Sequence, residues 1–247
     1  MKRIIYVLIA CLFLMLYGCE MGTDNMQQSK STASFSSVEE KEADGFTYEI
    51  CDTHIKITGY NRNEHIVTIP ETITDKPVKV IGENSFYQQT EINEIHLPAG
   101  IEVIESEAFY RCYALETVII PKSVMQIGND AFFRCSSLQR ITVDDKNNQY
   151  CDINGVLFSK DKTELIAYPE GKQETQYAIP DSVTKISGNV FGYQTHLKEI
   201  AIPASVAEFP NYNIFAYPDE ITLIVEPDSA AETYAKEQNI KYLTQYT

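Results

Sequence analysis

The residues of this chain best suited to chemistry are six cysteines, four histidines and one oxygen-rich loop, and their spacing gives none of them an obvious reaction. Besides Cys11 and Cys19, the cysteines are Cys51, Cys112, Cys135 and Cys151. No two form a CxxC pair, and no histidine lies at zinc-finger spacing from them. His54, His65, His96 and His196 are scattered and read as solvated strand or turn residues. The loop Asp144-Asp145-Lys146-Asn147-Asn148-Gln149, with Asp152, offers oxygens of the kind calcium prefers. It lacks the glycine and terminal glutamate of an EF-hand, and Lys146 opposes a cation, so it reads as a solvated loop. There is no GxSxG, HExxH, P-loop or GxGxxG pattern. The expectation is a protein without catalytic residues, cofactor or metal. A formal charge of -15, from 35 acids and 20 bases, argues against nucleic acid and anionic lipid as partners.

The N-terminus has a different logic. Lys2 and Arg3 precede an apolar run, Ile4 to Leu16, that is short for a membrane span, and residues 1–18 read as an export signal. The Leu16-Tyr17-Gly18-Cys19 that follows resembles the lipobox of bacterial lipoproteins, with Tyr17 bulkier than usual. The resemblance implies lipidation of Cys19 after cleavage, and so anchoring to the cell membrane or outer membrane of a bacterium, facing the exterior or periplasm. Cleavage removes Lys2, Arg3 and no acid, which carries the formal charge from -15 to -17. Residues 19–45 are polar and without apolar period, and are expected to form a flexible tether. The unstructured part, Glu20 to Asp44, would average roughly 25–30 Å end to end.

From 46 to 247 the chain repeats. Pro98 and Pro121 are 23 residues apart, as are Pro180 and Pro203, Leu115 and Leu138, and Cys112 and Cys135. Each unit carries one short strand, as in Leu115-Glu116-Thr117-Val118-Ile119-Ile120, ended by a proline that cannot donate to a ladder. A second apolar pair (Val124, Ile127) and an aromatic (Phe132) follow. Such a coil cannot bury its own apolar side. Stacking coil on coil does so, with neighbouring strands about 4.8 Å apart. The period therefore predicts that the strands of Ile120 and Ile202 share one sheet, leaving a broad ribbon rather than a cavity.

The segment from Ile120 to Leu138, Ile-Pro-Lys-Ser-Val-Met-Gln-Ile-Gly-Asn-Asp-Ala-Phe-Phe-Arg-Cys-Ser-Ser-Leu, resembles the BspA-like (Treponema-type) leucine-rich repeat at nearly every defined position. The resemblance covers roughly residues 46–247. It implies a mainly β, right-handed leucine-rich-repeat solenoid and, for function, adhesion to host proteins and other cells. Three irregularities stand out. Phe46 to Ile50 and Ile55 to Gly59 alternate as a hairpin, giving an N-terminal cap over 46–60. The first unit carries five extra residues around Asp75-Lys76-Pro77. Residues 144–178 form a longer unit with an inserted hairpin turning at Asn154-Gly155. At the other end, over 226–247, Ser229-Ala230-Ala231-Glu232 has the pattern of a capping box opening a short C-terminal helix cap to about Gln238, with a last strand from Ile240 to Leu243.

Alternation puts Val118 and Ile120 inward and their neighbours outward. The candidate protein-binding face is Glu94, His96, Thr117, Ile119, Arg140, Thr142, Glu199 and Thr222, joined by Gln176, Ala178, Ala201 and Ile224. Tyr87, Tyr110 and Phe133, each just after a core aromatic, form a second column. It is read either as a shield over the core or as an aromatic strip for an interface. Cys112 and Cys135 share a column and are read as small apolar fillers or as a disulfide pair, since stacked coils bring Cα atoms within bridging range. The leading expectation is a lipid-anchored protein-interaction or adhesion module. The alternatives are a self-associating envelope scaffold and a carbohydrate-binding lipoprotein.

Overall fold

The computed structural model describes residues 40–193, 196–212 and 214–245, so Cys19 and the export signal lie outside the described residues. These residues are mainly β, and among them is one short α-helix. The described part opens with β1 (Lys41–Ala43), β2 (Phe46–Ile50) and β3 (Ile55–Tyr60), an antiparallel meander. The β2–β3 hairpin is the one expected from alternation. The first strand is not: Lys41–Ala43 falls inside the stretch read as tether. It is ordered because Asp44 and Gly45 both take positive φ (50° and 86°), the tight-turn geometry that pairs Ala43 with Phe46.

From there the chain coils, and each turn contributes one strand to a front sheet and one to a back sheet. β4 (Ile66–Thr68) is a front strand. The five extra residues of the first unit become a small antiparallel hairpin between β5 (Thr72–Ile73) and back strand β6 (Lys76–Ile81), turning through Thr74 and Asp75 at positive φ. The stack continues with front β7 (Glu94–His96), back β8 (Val103–Ile104), front β9 (Thr117–Ile120), back β10 (Gln126–Ile127) and front β11 (Arg140–Val143). The front order is β11-β9-β7-β4, all parallel, and the back runs β3-β6-β8-β10. Arg140 pairs with Thr117 and Gln126 with Val103, so the ladder registers keep the 23-residue step. Ile66 with Glu94 is offset by the insertion. Inside, Phe86, Phe109 and Phe132 stack ring on ring at 5.2 and 5.5 Å.

The insertion then breaks the stack. β12 (Tyr150–Ile153) and β13 (Val156–Ser159) form the Asn154-Gly155 hairpin, with φ of 53° and 80° at the turn, and β14 (Glu164–Ala167) adds to it. A second stack follows: front β15 (Gln176–Ala178), back β16 (Lys185–Ile186), front β17 (Glu199–Ile202) and front β18 (Thr222–Val225). It ends on α1 (Ala230–Glu237) and front β19 (Lys241–Thr244). Its front order is β15-β17-β18-β19, again parallel and stepped by 23 from β15 to β18. Ile120 and Ile202 therefore lie in separate sheets, contrary to the single ribbon the period predicts. The buried core also divides, into one cluster from Phe46 to Leu157 and one from Val156 to Ile240.

Polar side chains close the edges that the break exposes. Asn147, fully buried, donates from Nδ2 to the carbonyls of Pro121 (2.9 Å) and Val124 (3.0 Å), and its Oδ1 accepts from the Gln149 and Tyr150 amides at 2.8 Å. The Tyr150 hydroxyl accepts from the Ile127 amide at 2.9 Å, at the end of the first back sheet. The loop read as solvated is thus solvated at Asp144, Asp145 and Lys146 but anchored at Asn147. Asn147→Ala would take a partner from four backbone groups where little water reaches, of which the Pro121 carbonyl keeps the Val124 amide at 3.2 Å. At roughly 1–3 kcal/mol for each orphaned group, some of it recovered by water, the net loss should be about 3 kcal/mol in urea unfolding.

The helix cap forms largely as its pattern requires. Ser229 Oγ accepts from the Glu232 amide at 3.1 Å, while Glu232 reaches back to the Asp228 amide at 2.8 Å, one residue earlier than in the standard box. Among the described residues no helix is long and apolar enough to cross a membrane.

Candidate functional site

The strand faces come first, because alternation makes them. In β9, Val118 and Ile120 are buried while Thr117 and Ile119 are exposed, Ile119 to 63%. Register carries the pattern across the sheet: Thr117 lies between Glu94 and Arg140, and Ile119 lies beside Thr142. Glu94, His96, Thr117, Ile119 and Arg140 are exposed, and Thr142 is half-buried. His96 Nε2 sits 2.6 Å from Glu94 Oε1, so that pair is held on the surface. In the second stack Glu199 and Thr222 pair with one another but are only half-buried, as are Ala201 and Ile224, while Gln176 and Ala178 are exposed. The expected face is therefore two patches. Between them stands the Asn154-Gly155 turn, whose Gly155 carbonyl accepts from the Ile141 amide at 3.0 Å and whose backbone lies against the Arg140 stem.

The aromatic column is longer than the sequence suggests. Tyr87 and Tyr110 have ring centroids 5.5 Å apart, and Tyr110 and Phe133 lie 5.7 Å apart and nearly parallel. The column crosses the break to Tyr193 (5.6 Å) and Tyr217 (6.0 Å). These two escape a search for an aromatic directly after the core aromatic, because they follow Phe191 and Phe215 by two positions. The signal for them is their own 24-residue spacing. Phe133 lies over Gly192, where any Cβ would collide with its ring. Arg111 and Arg134 lay guanidinium groups on the column, Arg134 at 3.8 Å from the Tyr193 centroid.

Cys112 and Cys135 are buried free thiols. Each donates to a carbonyl one coil back, Phe86 at 3.1 Å and Phe109 at 3.2 Å. Burial, reinforced by Cys112, pushes the Cys135 thiol well above its usual range. Cys51 and Cys151 are half-buried free thiols.

The break also opens a cavity of about 320 Å³, a feature absent from the ribbon expectation. Ile127 to Phe133 form one wall and Ser187 to Val190 the other, with Tyr150, Glu164, Tyr168 and Glu170 between them. Its acids have partners: Asp130 Oδ2 accepts from Asn189 Nδ2 at 2.9 Å, and Glu164 binds Lys185 Nζ at 2.7 Å. Glu170 Oε1 accepts from the Arg134 amide at 2.9 Å. Among the described residues, no group of three or more His, Cys, Asp or Glu side chains converges as a metal centre would require. Asp144 and Asp152, from the oxygen-rich loop, spend their carboxylates on the backbone amides of Lys146, Val143 and Gly155.

Against known sequences, the BspA type leucine rich repeat region matches this chain in 6 copies, over residues 60–176 and 167–236. No curated protein matches it. Among solved structures, a leucine rich cell surface protein from Faecalibacterium prausnitzii A2-165 is similar at 18% identity and a TM-score of 0.46, over 84% of this chain and 95% of that one. A leucine-rich repeat protein from Eubacterium ventriosum is similar at 18% identity and a TM-score of 0.44, over 75% and 71%. The leucine rich repeat protein of T. pallidum matches at 18% identity and a TM-score of 0.39, over 85% and 100%.

Proposed function

The chain belongs to the BspA-type leucine-rich-repeat family, a protein-interaction scaffold, and on that premise we propose that it is a non-catalytic, lipid-anchored surface protein that binds another protein through its front strands. The observation that carries this reading is the exposed patch centred on Ile119. It is a wide, mixed surface of Glu94, His96, Thr117, Ile119 and Arg140, with an uncovered aliphatic side chain at its middle. An aliphatic side chain ringed by polar and charged neighbours is the composition from which interface centres are built. Export and the lipid on Cys19 rest on the order of Lys2, Arg3, the apolar run and Gly18-Cys19. The partner class is a host, matrix or other cell-surface protein, and adhesion is the role that a tethered repeat face suits.

Pull-down of the full chain against extracellular-matrix proteins tests this. Ile119→Glu and Arg140→Glu, made separately, should each weaken capture at least about 10-fold, as loss of a central interface residue does. Circular dichroism should stay unchanged. Capture that survives both substitutions would move the binding surface away from the first front sheet. Self-association is a second reading, favoured by Leu243, which is exposed on the last front strand. A concentration-independent monomer in sedimentation would remove it.

A further inference from the structure

The front and back ladders of the first stack stop at the same place, and among the side chains that cross the break one carboxyl, that of Glu170, takes backbone amides from both sides. In the regular coils a loop amide donates to a backbone carbonyl of the next coil: Gln88 to Tyr110 and Arg111 to Phe133, both at 3.0 Å. The next amide in this column, that of Arg134, has no such carbonyl, because the insertion has taken the following coil away. It donates instead to Glu170 Oε1 at 2.9 Å, and the same carboxyl takes the Tyr193 amide from the second stack. Its segment is wedged in place: the Gly171 amide donates to the Leu138 carbonyl at 2.7 Å, and a Cβ on Gly171 would lie 2.4 Å from the backbone of Ser137.

We propose that this joint is a proton-controlled hinge, in which the Glu170 carboxyl, shared between the Arg134 and Tyr193 amides, sets how tightly the two stacks close on each other. Three features carry the proposal. The front strands on either side belong to different sheets, and the β12–β14 sheet between the stacks packs Leu157 into one core and Val156, Phe158 and Leu165 into the other, so the joint can loosen at its Glu170 edge without tearing a ladder. The cavity of about 320 Å³ lies beside Glu170 and gives water a way in. And Glu170, only 8% exposed, is poorly compensated. The Arg134 guanidinium is turned onto the Tyr193 ring. Asp130 and Glu164, which line the same cavity, bring it no counter-charge. The Cys135 thiol feels Glu170 from the last coil of the first stack. On its own segment stand Tyr168 and Lys172, whose ammonium binds Glu174 at 3.1 Å.

Burial therefore raises the Glu170 carboxyl from 4.5 to about 7, against the weaker pull of its two amide donors and Arg134. The sign follows. Between those two values the folded chain holds a proton that the unfolded chain has released. The stabilisation is complete below pH 4.5 and is lost as pH rises through about 7. Once ionised, the carboxylate draws water, and the cavity side of the joint is where water enters. The hinge does not depend on which partner the strand faces meet, although opening it would change how the two front patches sit together.

Amide hydrogen exchange on the full chain, corrected for intrinsic rate and followed from pH 5 to 9, tests the proposal. The Arg134 and Tyr193 amides should lose at least about 10-fold in protection between pH 6 and 8, a tenfold change matching one pKa unit. Ladder amides within β9 and β18 should lose none. Glu170→Gln keeps an accepting oxygen and cannot ionise, so it should hold the low-pH protection throughout. Glu170→Ala should lose it at every pH. Wild-type protection that is flat with pH, or a Gln variant that follows the wild-type curve, would overturn the hinge. If the Gln variant does not fold, the carboxyl carbon of Glu170 in the wild type decides. A midpoint near 7 in step with the two amides supports the hinge, and a midpoint in the ordinary carboxylate range overturns it.

Discussion

Phe109→Ala should cost about 3–5 kcal/mol in equilibrium unfolding, the range for deleting a large aromatic from a core that cannot collapse onto the space. Phe109 is 1% exposed and sits between Phe86 and Phe132, its ring nearly parallel to that of Phe132. Its coil is tied on both sides by backbone bonds: the Phe86 amide donates to the Ala108 carbonyl and the Phe109 amide to the Ala131 carbonyl, both at 2.8 Å. These ties stop the coils from sliding together to fill the cavity. A coil in a solenoid touches only its neighbours, so the damage should spread along the stack as lost cooperativity rather than stay local. Tyr110, the next residue, stacks on the half-buried outer column, and Tyr110→Ala should cost far less. Urea melts of the two variants, compared for midpoint and slope, check both statements.

The second large effect separates neighbouring residues of one strand. Val118 lies in the ladder between Ile95 and Ile141, all three buried, and no basic side chain shares that inner row. Val118→Glu would place a carboxylate in the core without a partner. Burying an unpaired charge costs several kcal/mol even after its pKa rises to neutralise it. The variant should therefore be largely unfolded at neutral pH, or should recover only as the solution is made acid. Ile119→Glu, one residue on, adds the same charge to a side chain that already faces water, and stability should change by no more than about 0.5 kcal/mol.

The regular parts of this fold were legible because their cause is periodic. A 23-residue step in the apolar residues became a 23-residue step in strand register, from Val103 and Gln126 to Glu199 and Thr222. The insertions were visible as departures, and Asn154-Gly155 announced its turn. What the period could not show is how the break is sealed. Asn147, Tyr150 and Glu170 each act once, through a side chain that replaces a backbone partner, and a residue that acts once leaves no repeat to detect. Two misses did carry a signal. Asp44-Gly45 is as good a turn dipeptide as Asn154-Gly155, and it ties Lys41–Ala43 to the sheet. Tyr193 and Tyr217 keep their own spacing, shifted by one position from the aromatics before them, and at Tyr193 the position given up belongs to Gly192, under the Phe133 ring.

The strand face also follows from alternation, yet the structure divides it. Ile119 and Arg140 stand on one patch and Glu199 and Thr222 on another, with the inserted turn between them. A partner that spans both patches must accommodate that turn, and its fit then depends on the joint at Glu170. A partner confined to the first patch would be indifferent to it.

Thermal unfolding of Val118→Glu beside Ile119→Glu at neutral pH is the most direct measurement, since the coil, the core and the proposed binding face all depend on which of these two residues points inward. The expected result is an Ile119→Glu variant that melts within about two degrees of the wild type and a Val118→Glu variant with no cooperative transition, or one lowered by tens of degrees. Equal losses in the two, or the greater loss at Ile119, would contradict the stacked-coil structure.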